Sequence, residues 1–174
     1  MSGTDRPLTG VERKFPDDEI IVSKTDPTGR LTYVNDVFLT VSGYAEHEVV
    51  GQPHSIIRHP EMPRAVFKLL WDAITAGREV FAYVNNRAKN GDHYWVLAHV
   101  TPNVDAAGKL IGYHSNRRAP RAEALAKIKP LYRTLLDTER KAADRKVGLD
   151  ASFRQLNDIL DREGKSYGEF VFGL

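Results

Sequence analysis

No cysteine occurs among the 174 residues. That absence excludes disulfides, thiolate metal ligands, iron–sulfur clusters, and any nucleophilic or photoadduct-forming thiol. Long apolar runs are missing as well. The first ten residues, MSGTDRPLTG, are polar, so the sequence offers no secretory signal and no membrane-spanning helix, and it reads as a soluble, cytoplasmic protein. Charge of one sign is also lacking: 25 Lys and Arg stand against 23 Asp and Glu, a net charge of +2. The charges are interspersed, which gives nucleic-acid binding no support. Neither GxGxxG nor GxxxxGK[ST] is present to cradle phosphates, no HExxH helix to hold zinc, and no GxSxG elbow to expose a serine. The chain therefore reads as a binding or sensing module and not as an enzyme.

What is there suits one principal domain with a small appendage, since 174 residues that are 41% hydrophobic can bury one sizeable core. Two β-type runs, Ile20–Thr25 and Leu31–Asn35, flank Asp26-Pro27-Thr28-Gly29, a strong hairpin turn. The period then turns helical, with Val37, Phe38 and Val41 before Ser42-Gly43, and a further turn at Glu46–Val50. In RAVFKLLWDAITAG the apolar residues cover more than one helical face, so that helix must be buried on two sides or flank a ligand. Three more strands, Val80–Arg87, Tyr94–Thr101 and Leu110–Arg117, are joined by the turns KNGD and DAAG. The expected fold is α+β: a five-stranded antiparallel sheet with short helices on one face, spanning residues 20–118.

Residues 1–19 are expected to form an N-terminal cap or a flexible segment, and residues 119–174 a C-terminal helical extension. In that extension Leu125, Ile128, Tyr132 and Leu135 form a stripe that Pro130 interrupts, and charge dominates Asp137–Lys146. A last amphipathic run through Phe153, Leu156, Ile159 and Leu160 is expected to dock as a helical hairpin.

Chemistry concentrates in GQPHSIIRHPEMP, residues 51–63. Of the six histidines only His47, His54 and His59 cluster locally, without metal-ligand spacing, so no metal site is expected. Each histidine alone reads most simply as a surface or hydrogen-bonded loop residue. Arg58 beside His59 shifts the balance, because two adjacent donors between restricted stretches of chain resemble an anion-facing corner. Trp71 and Phe67 lie one turn apart, either as core filling or as a wall for a planar ring.

Three blocks, YVNDVFLTVSGY (33–44), GQPHSIIRHPEMP and NNRAKNGDHYWVLAHVTP (85–102), followed by GKLIGYHSNR (108–117), resemble in order the PAS domains of bacterial aerotaxis receptors. Those are FAD-binding redox sensors that control chemotaxis. The resemblance implies a PAS fold and a non-covalent FAD whose isoalloxazine ring lies between sheet and helices. Carried over by position, Asn35, Arg58, His59, Glu61, Phe67, Trp71 and Asn86 become cofactor-binding residues. Glu61 stands where the family often has aspartate, and Val80 where a second tryptophan can occur. The family likeness further implies a homodimer that signals redox or oxygen status to a chemoreceptor or histidine kinase, and the output is expected through Ala122–Leu136 or a dimer interface. With no spanning helix and no methyl-accepting domain in the sequence, the expectation is a stand-alone sensor. Two alternatives stay open: a haem-binding PAS gas sensor with His59 or His99 as axial ligand, and a cofactor-free interaction module.

Overall fold

The computed structural model describes residues 6–174. Strands β1 (Ile21–Thr25) and β2 (Leu31–Val34) form the first hairpin. The Asp26 carboxylate makes its turn, accepting from the Thr28 amide (2.8 Å), the Thr28 hydroxyl (2.7 Å) and the Arg30 amide (3.0 Å). These bonds hold that carboxyl below its usual range. Helices α1 (Asp36–Ser42), α2 (Glu46–Val49) and α3 (Arg64–Thr75) follow, with a 3-10 turn at His54–Ile57 between the last two. Strands β3 (Val80–Arg87), β4 (His93–Val104) and β5 (Leu110–Arg118) complete one antiparallel sheet of order β2-β1-β5-β4-β3. The helices α4 (Ala122–Lys141), α5 (Arg145–Glu163) and α6 (Tyr167–Phe172) close the chain.

The expected five strands and their order in sequence are all present. The strand β4 is longer than expected, because the Asp105 side chain turns the chain only after Val104, accepting from the amides of Ala107 and Lys109. The segment 51–63 runs from one sheet edge to the other. Its start pairs with β2 through Leu31 N–H to Gln52 O (2.9 Å) and Gly51 N–H to Leu31 O (2.7 Å), and its end pairs with β3 at Arg58 and Asn86. Such coverage leaves both sheet edges less open to unintended pairing.

Helix α3 is buried on two sides, one against the sheet and one against α5. On the opposite sheet face Trp95 meets Tyr132 of α4, and Phe81 meets Phe172 of α6. The Tyr132 hydroxyl donates to the Tyr83 carbonyl (2.7 Å), which occupies an acceptor on edge strand β3.

The interruption expected at Pro130 does not occur, and α4 continues to Lys141. A proline costs a helix one hydrogen bond to the carbonyl four residues earlier. Here both Pro130 and Ala126 are exposed, so the carbonyl the proline leaves free lies on the solvent side of the helix and not in the core. Of the N-terminal segment, residues 1–5 lie outside the described residues. Residues 9–13 dock on the β3–β4 turn, with Arg13 Nε on Asp92 (2.9 Å), Arg13 N–H to His93 O (2.7 Å) and His93 N–H to Val11 O (2.9 Å).

Candidate functional site

A cavity of about 280 Å³ opens between α3 and the sheet. Its walls are apolar: Ile57, Phe67, Leu70, Trp71 and Ile74 on the helical side, Val84, Ala98 and Val100 on the sheet. Strand alternation places these sheet residues together. On β3 Val84 and Asn86 face inward, on β5 Tyr113, Ser115 and Arg117, and on β1 Ser23 and Thr25. Trp71 sits at the mouth, 38% exposed and edge-on to Tyr113 with ring centres 5.6 Å apart. A β-carbon at Gly29 would come within 3.0 Å of the Trp71 ring, and its φ of +85° also suits glycine. The turn glycine thereby lets the indole lie across the hairpin.

Polar groups are few and unusually placed. The Arg58 guanidinium stacks over the Phe67 ring at 3.6 Å, and one of its nitrogens, Nη2, is buried without a partner. Burial, the first cause, pushes this guanidinium down to about 10, while the carboxylate of Glu139 opposes the shift. Asn86 is 3% exposed, with its Nδ2 unpartnered. Arg117, also 3% exposed, donates through Nη2 to the Ser23 hydroxyl (2.6 Å) and to His54 Nε2, while Nη1 has no partner. No carboxylate among the described residues forms an ion pair with Arg117. Desolvation followed by the adjacent Arg117 charge pushes His54 down to about 3, so its ring is neutral, with Nε2 the acceptor and the proton on Nδ1. The Ser115 hydroxyl is likewise buried and unpartnered.

These orphan groups define what the cavity would accept. A buried donor left unpaired costs roughly 1–3 kcal/mol, and Arg58, Asn86 and Arg117, which all line one largely apolar cavity, each carry such a donor. The chemistry is complementary to a flat molecule with apolar faces and an acceptor-rich edge. Ligand pockets commonly span about 300–1,000 Å³, so 280 Å³ has room for a ring system and not for a whole dinucleotide.

The residues singled out from sequence divide into two groups. Arg58, Phe67, Trp71 and Asn86 all line the cavity, and the backbone pairing of Arg58 with Asn86 brings two of them side by side. Asn35, His59 and Glu61 do not line it. Asn35 instead caps α1, its Oδ1 accepting from the Phe38 amide (3.0 Å) and the Val22 amide (2.9 Å) and its Nδ2 donating to Ile20 O (2.8 Å). His59 is 4% exposed, accepts the Glu61 amide on Nδ1 (3.2 Å) and packs its ring against His93. Burial lowers its pKa. Glu61 itself is exposed. His99, the other histidine considered for a haem, pairs with Glu79 (2.7 Å) and stacks on Phe81, away from the cavity. No group of three metal-ligating side chains occurs among the described residues.

His54, Arg117, Ser23 and Ser115 were missed from sequence. The signal available was the inward alternation of β1 and β5, which becomes usable only once these two strands are known to pair, Ser23 opposite Ser115.

Comparison with known proteins follows the same outline. Residues 31–116 match the family model described as the PAS fold. The chain is 44% identical over 128 residues to the aerotaxis receptor of Escherichia coli, an alignment covering 74% of this chain and 25% of the receptor. It thus spans about a quarter of that relative's length. Among solved structures it resembles a Light-Oxygen-Voltage domain from work on a flavin analogue, with a TM-score of 0.56, 22% identity, and coverage of 64% of this chain and 84% of that one. It also resembles the light-state structure of the blue-light photoreceptor Aureochrome1 LOV, with a TM-score of 0.54, 26% identity, and coverage of 70% and 91%. No helix among the described residues is long and apolar enough to cross a membrane. Residues 31–116 are a PAS domain, and the chain is a relative of the aerotaxis receptor.

Proposed function

We propose that this protein is a redox sensor that binds a flavin, FAD, without a covalent bond, the ring end of the cofactor occupying the cavity between α3 and the sheet. The observation that carries the reading is the set of buried, unpartnered donors on Arg58, Asn86 and Arg117, three residues that line one largely apolar cavity. The likeness to an aerotaxis receptor and to a domain studied with a flavin analogue supports the choice of flavin over other ring systems. Phe67, Leu70 and Trp71 would hold the ring faces, and Arg58 and Asn86 its polar edge.

A flavin supplies reversible electron transfer and, with its redox state, a change in which ring-edge atoms donate or accept hydrogen bonds. Asn86 is suited to read that change, since a carboxamide carries both a donor and an acceptor and can turn to offer either. Because Asn86 pairs through its backbone with Arg58, a turn there reaches the strap that precedes α3. The absence of cysteine keeps thiol-adduct photochemistry out of this site. The signal would pass to a partner of chemoreceptor or histidine-kinase type, with the protein as a homodimer.

The test is Asn86→Ala in protein loaded with FAD. Wild-type protein is expected to show a difference in backbone hydrogen exchange between its oxidised and reduced forms, and the variant to bind FAD but lose most of that difference. A variant whose two redox forms differ as much as those of the wild type would remove Asn86 from the route.

A further inference from the structure

Glu139 lies in the charge-dominated stretch Asp137–Lys146, yet it is 7% exposed. Its carboxylate is surrounded by donors from two other helices. Oε2 accepts from Arg64 Nε (2.9 Å), and Oε1 accepts from the Ala65 amide (3.0 Å) and the Ser152 hydroxyl (2.8 Å). Ala65 is the second residue of α3. The residue before that helix is Pro63, whose side chain cannot cap it. The N-terminal cap of the cavity's own helix is therefore supplied by α4, 74 residues later in the chain. A carboxylate suits that position, where the helix dipole and free amides are positive.

The surrounding packing leaves little slack. Gly148 of α5 is buried one turn from Ser152, and a β-carbon there would lie 2.7 Å from the Glu139 carbonyl oxygen. The helices α4 and α5 thus pack closely at Glu139, and Lys68 of α3 lies over the Phe153 ring of α5 at 4.7 Å. On the other side, the first turn of α3 continues directly into Phe67, on which Arg58 stacks. Any shift of that turn must either carry α4 and α5 along or strip partners from a buried charge, a costly event.

We propose that Glu139 is a positioning residue for the cavity, joining the first turn of α3 to α4 and α5 so that the state of the cavity and the docking of the C-terminal helices are coupled. This rests on the flavin reading only for the identity of the occupant. Coupling of this kind is reciprocal: an occupant that orders Arg58 and Phe67 tightens the docking of α5, and firm docking of α5 improves binding in the cavity. The C-terminal helices are then part of the sensor's working unit and not a passive appendage.

The experiment is hydrogen exchange on the full chain with and without added FAD, in the wild type, Glu139→Gln and Glu139→Ala. FAD uptake is followed separately by absorption. In the wild type, FAD is expected to slow exchange in residues 145–163 by about fivefold or more. Glu139→Ala is expected to take up FAD more weakly and to show no such response in α5. Glu139→Gln keeps an acceptor for Ala65 and Ser152 and is expected to restore part of the response, which loss of stability alone would not produce. A wild-type α5 that ignores bound FAD, or a Glu139→Ala α5 that responds as the wild type does, would overturn the proposal. If wild-type protein takes up no FAD, the flavin reading fails, and the joint is decided by exchange alone. Faster exchange in Glu139→Ala at both residues 65–67 and 145–163 upholds the joint, and loosening of one without the other overturns it. Should Glu139→Ala fail to fold, Ser152→Ala and Glu139→Gln carry the same comparison.

Discussion

Lowering the pH should destabilise the ligand-free protein through His54. The folded protein holds this imidazole neutral, at about 3, because its ring is desolvated and Nε2 accepts from the Arg117 guanidinium. In the unfolded chain the same imidazole titrates near its ordinary value of about 6.5. The folded value lies below the unfolded one, so stability is intact above pH 6.5. It falls as the pH drops toward 3, where the unfolded chain binds a proton that the folded protein refuses. Integrating that difference from about pH 7.5 down to about pH 5 gives a loss of at most about 2 kcal/mol, an upper figure because the ring borders a cavity that can admit water. Such a loss is a large share of the roughly 5–15 kcal/mol that stabilises an ordinary domain. The assay is urea unfolding of the wild type and His54→Gln across this range. His59, whose pKa burial also lowers, is present in both proteins and cancels. The variant is expected to retain a side-chain acceptor for Arg117 and to lose about 2 kcal/mol less than the wild type between those pH values. Parallel pH profiles for the two proteins would refute the reasoning.

Asn35→Ala removes the α1 cap and leaves Val22 N–H and Ile20 C=O without their side-chain partner, so a loss of about 2–4 kcal/mol is expected in denaturant unfolding. Its FAD affinity is expected to match the wild type once the folded fraction is allowed for. Arg58→Ala should abolish or strongly weaken FAD uptake in a spectrophotometric titration, whereas Glu61→Ala, at an exposed position outside the cavity, should leave it unchanged. Gly112→Ala would drive a β-carbon to 2.0 Å from the Thr25 carbonyl oxygen, and about 3 kcal/mol of destabilisation is expected from forcing β1 and β5 apart, read as a fall in thermal midpoint.

Much of the fold was legible because its signals are local. Asp26-Pro27-Thr28-Gly29 carries its own turn chemistry in one carboxylate, and the alternation along β3, β4 and β5 needs only a few residues to show. The breadth of the apolar face on α3 also signalled burial on two sides before either partner was known. Pro130 misled because its effect depends on which way the freed carbonyl faces. At Ala126 it faces water, and a helix with solvent on that side tolerates the loss. Glu139 stayed hidden, since a carboxylate within a run of charges gives no local sign that three donors from α3 and α5 surround it. Within the candidate site, Phe67 and Trp71 announced themselves by helical spacing, and Arg58 and Asn86 by the resemblance of their segments. Arg117 and His54 stayed hidden because their meeting depends on the pairing of β1 with β5 and on the strap from β2 to β3, both of which are long-range. Asn35, His59 and Glu61, carried over by position, lie outside the cavity: the first caps α1, the second packs against His93 and the third is exposed.

The central claim is that the cavity under α3 holds a flavin, and the most direct measurement is the visible absorption spectrum of the purified full chain, with mass analysis of the chromophore released on denaturation. The expected result is a flavin spectrum, bleached on reduction and recovered in air, with a released molecule of the mass of FAD. A haem spectrum would contradict the account, as would protein that is colourless and stays so after incubation with FAD.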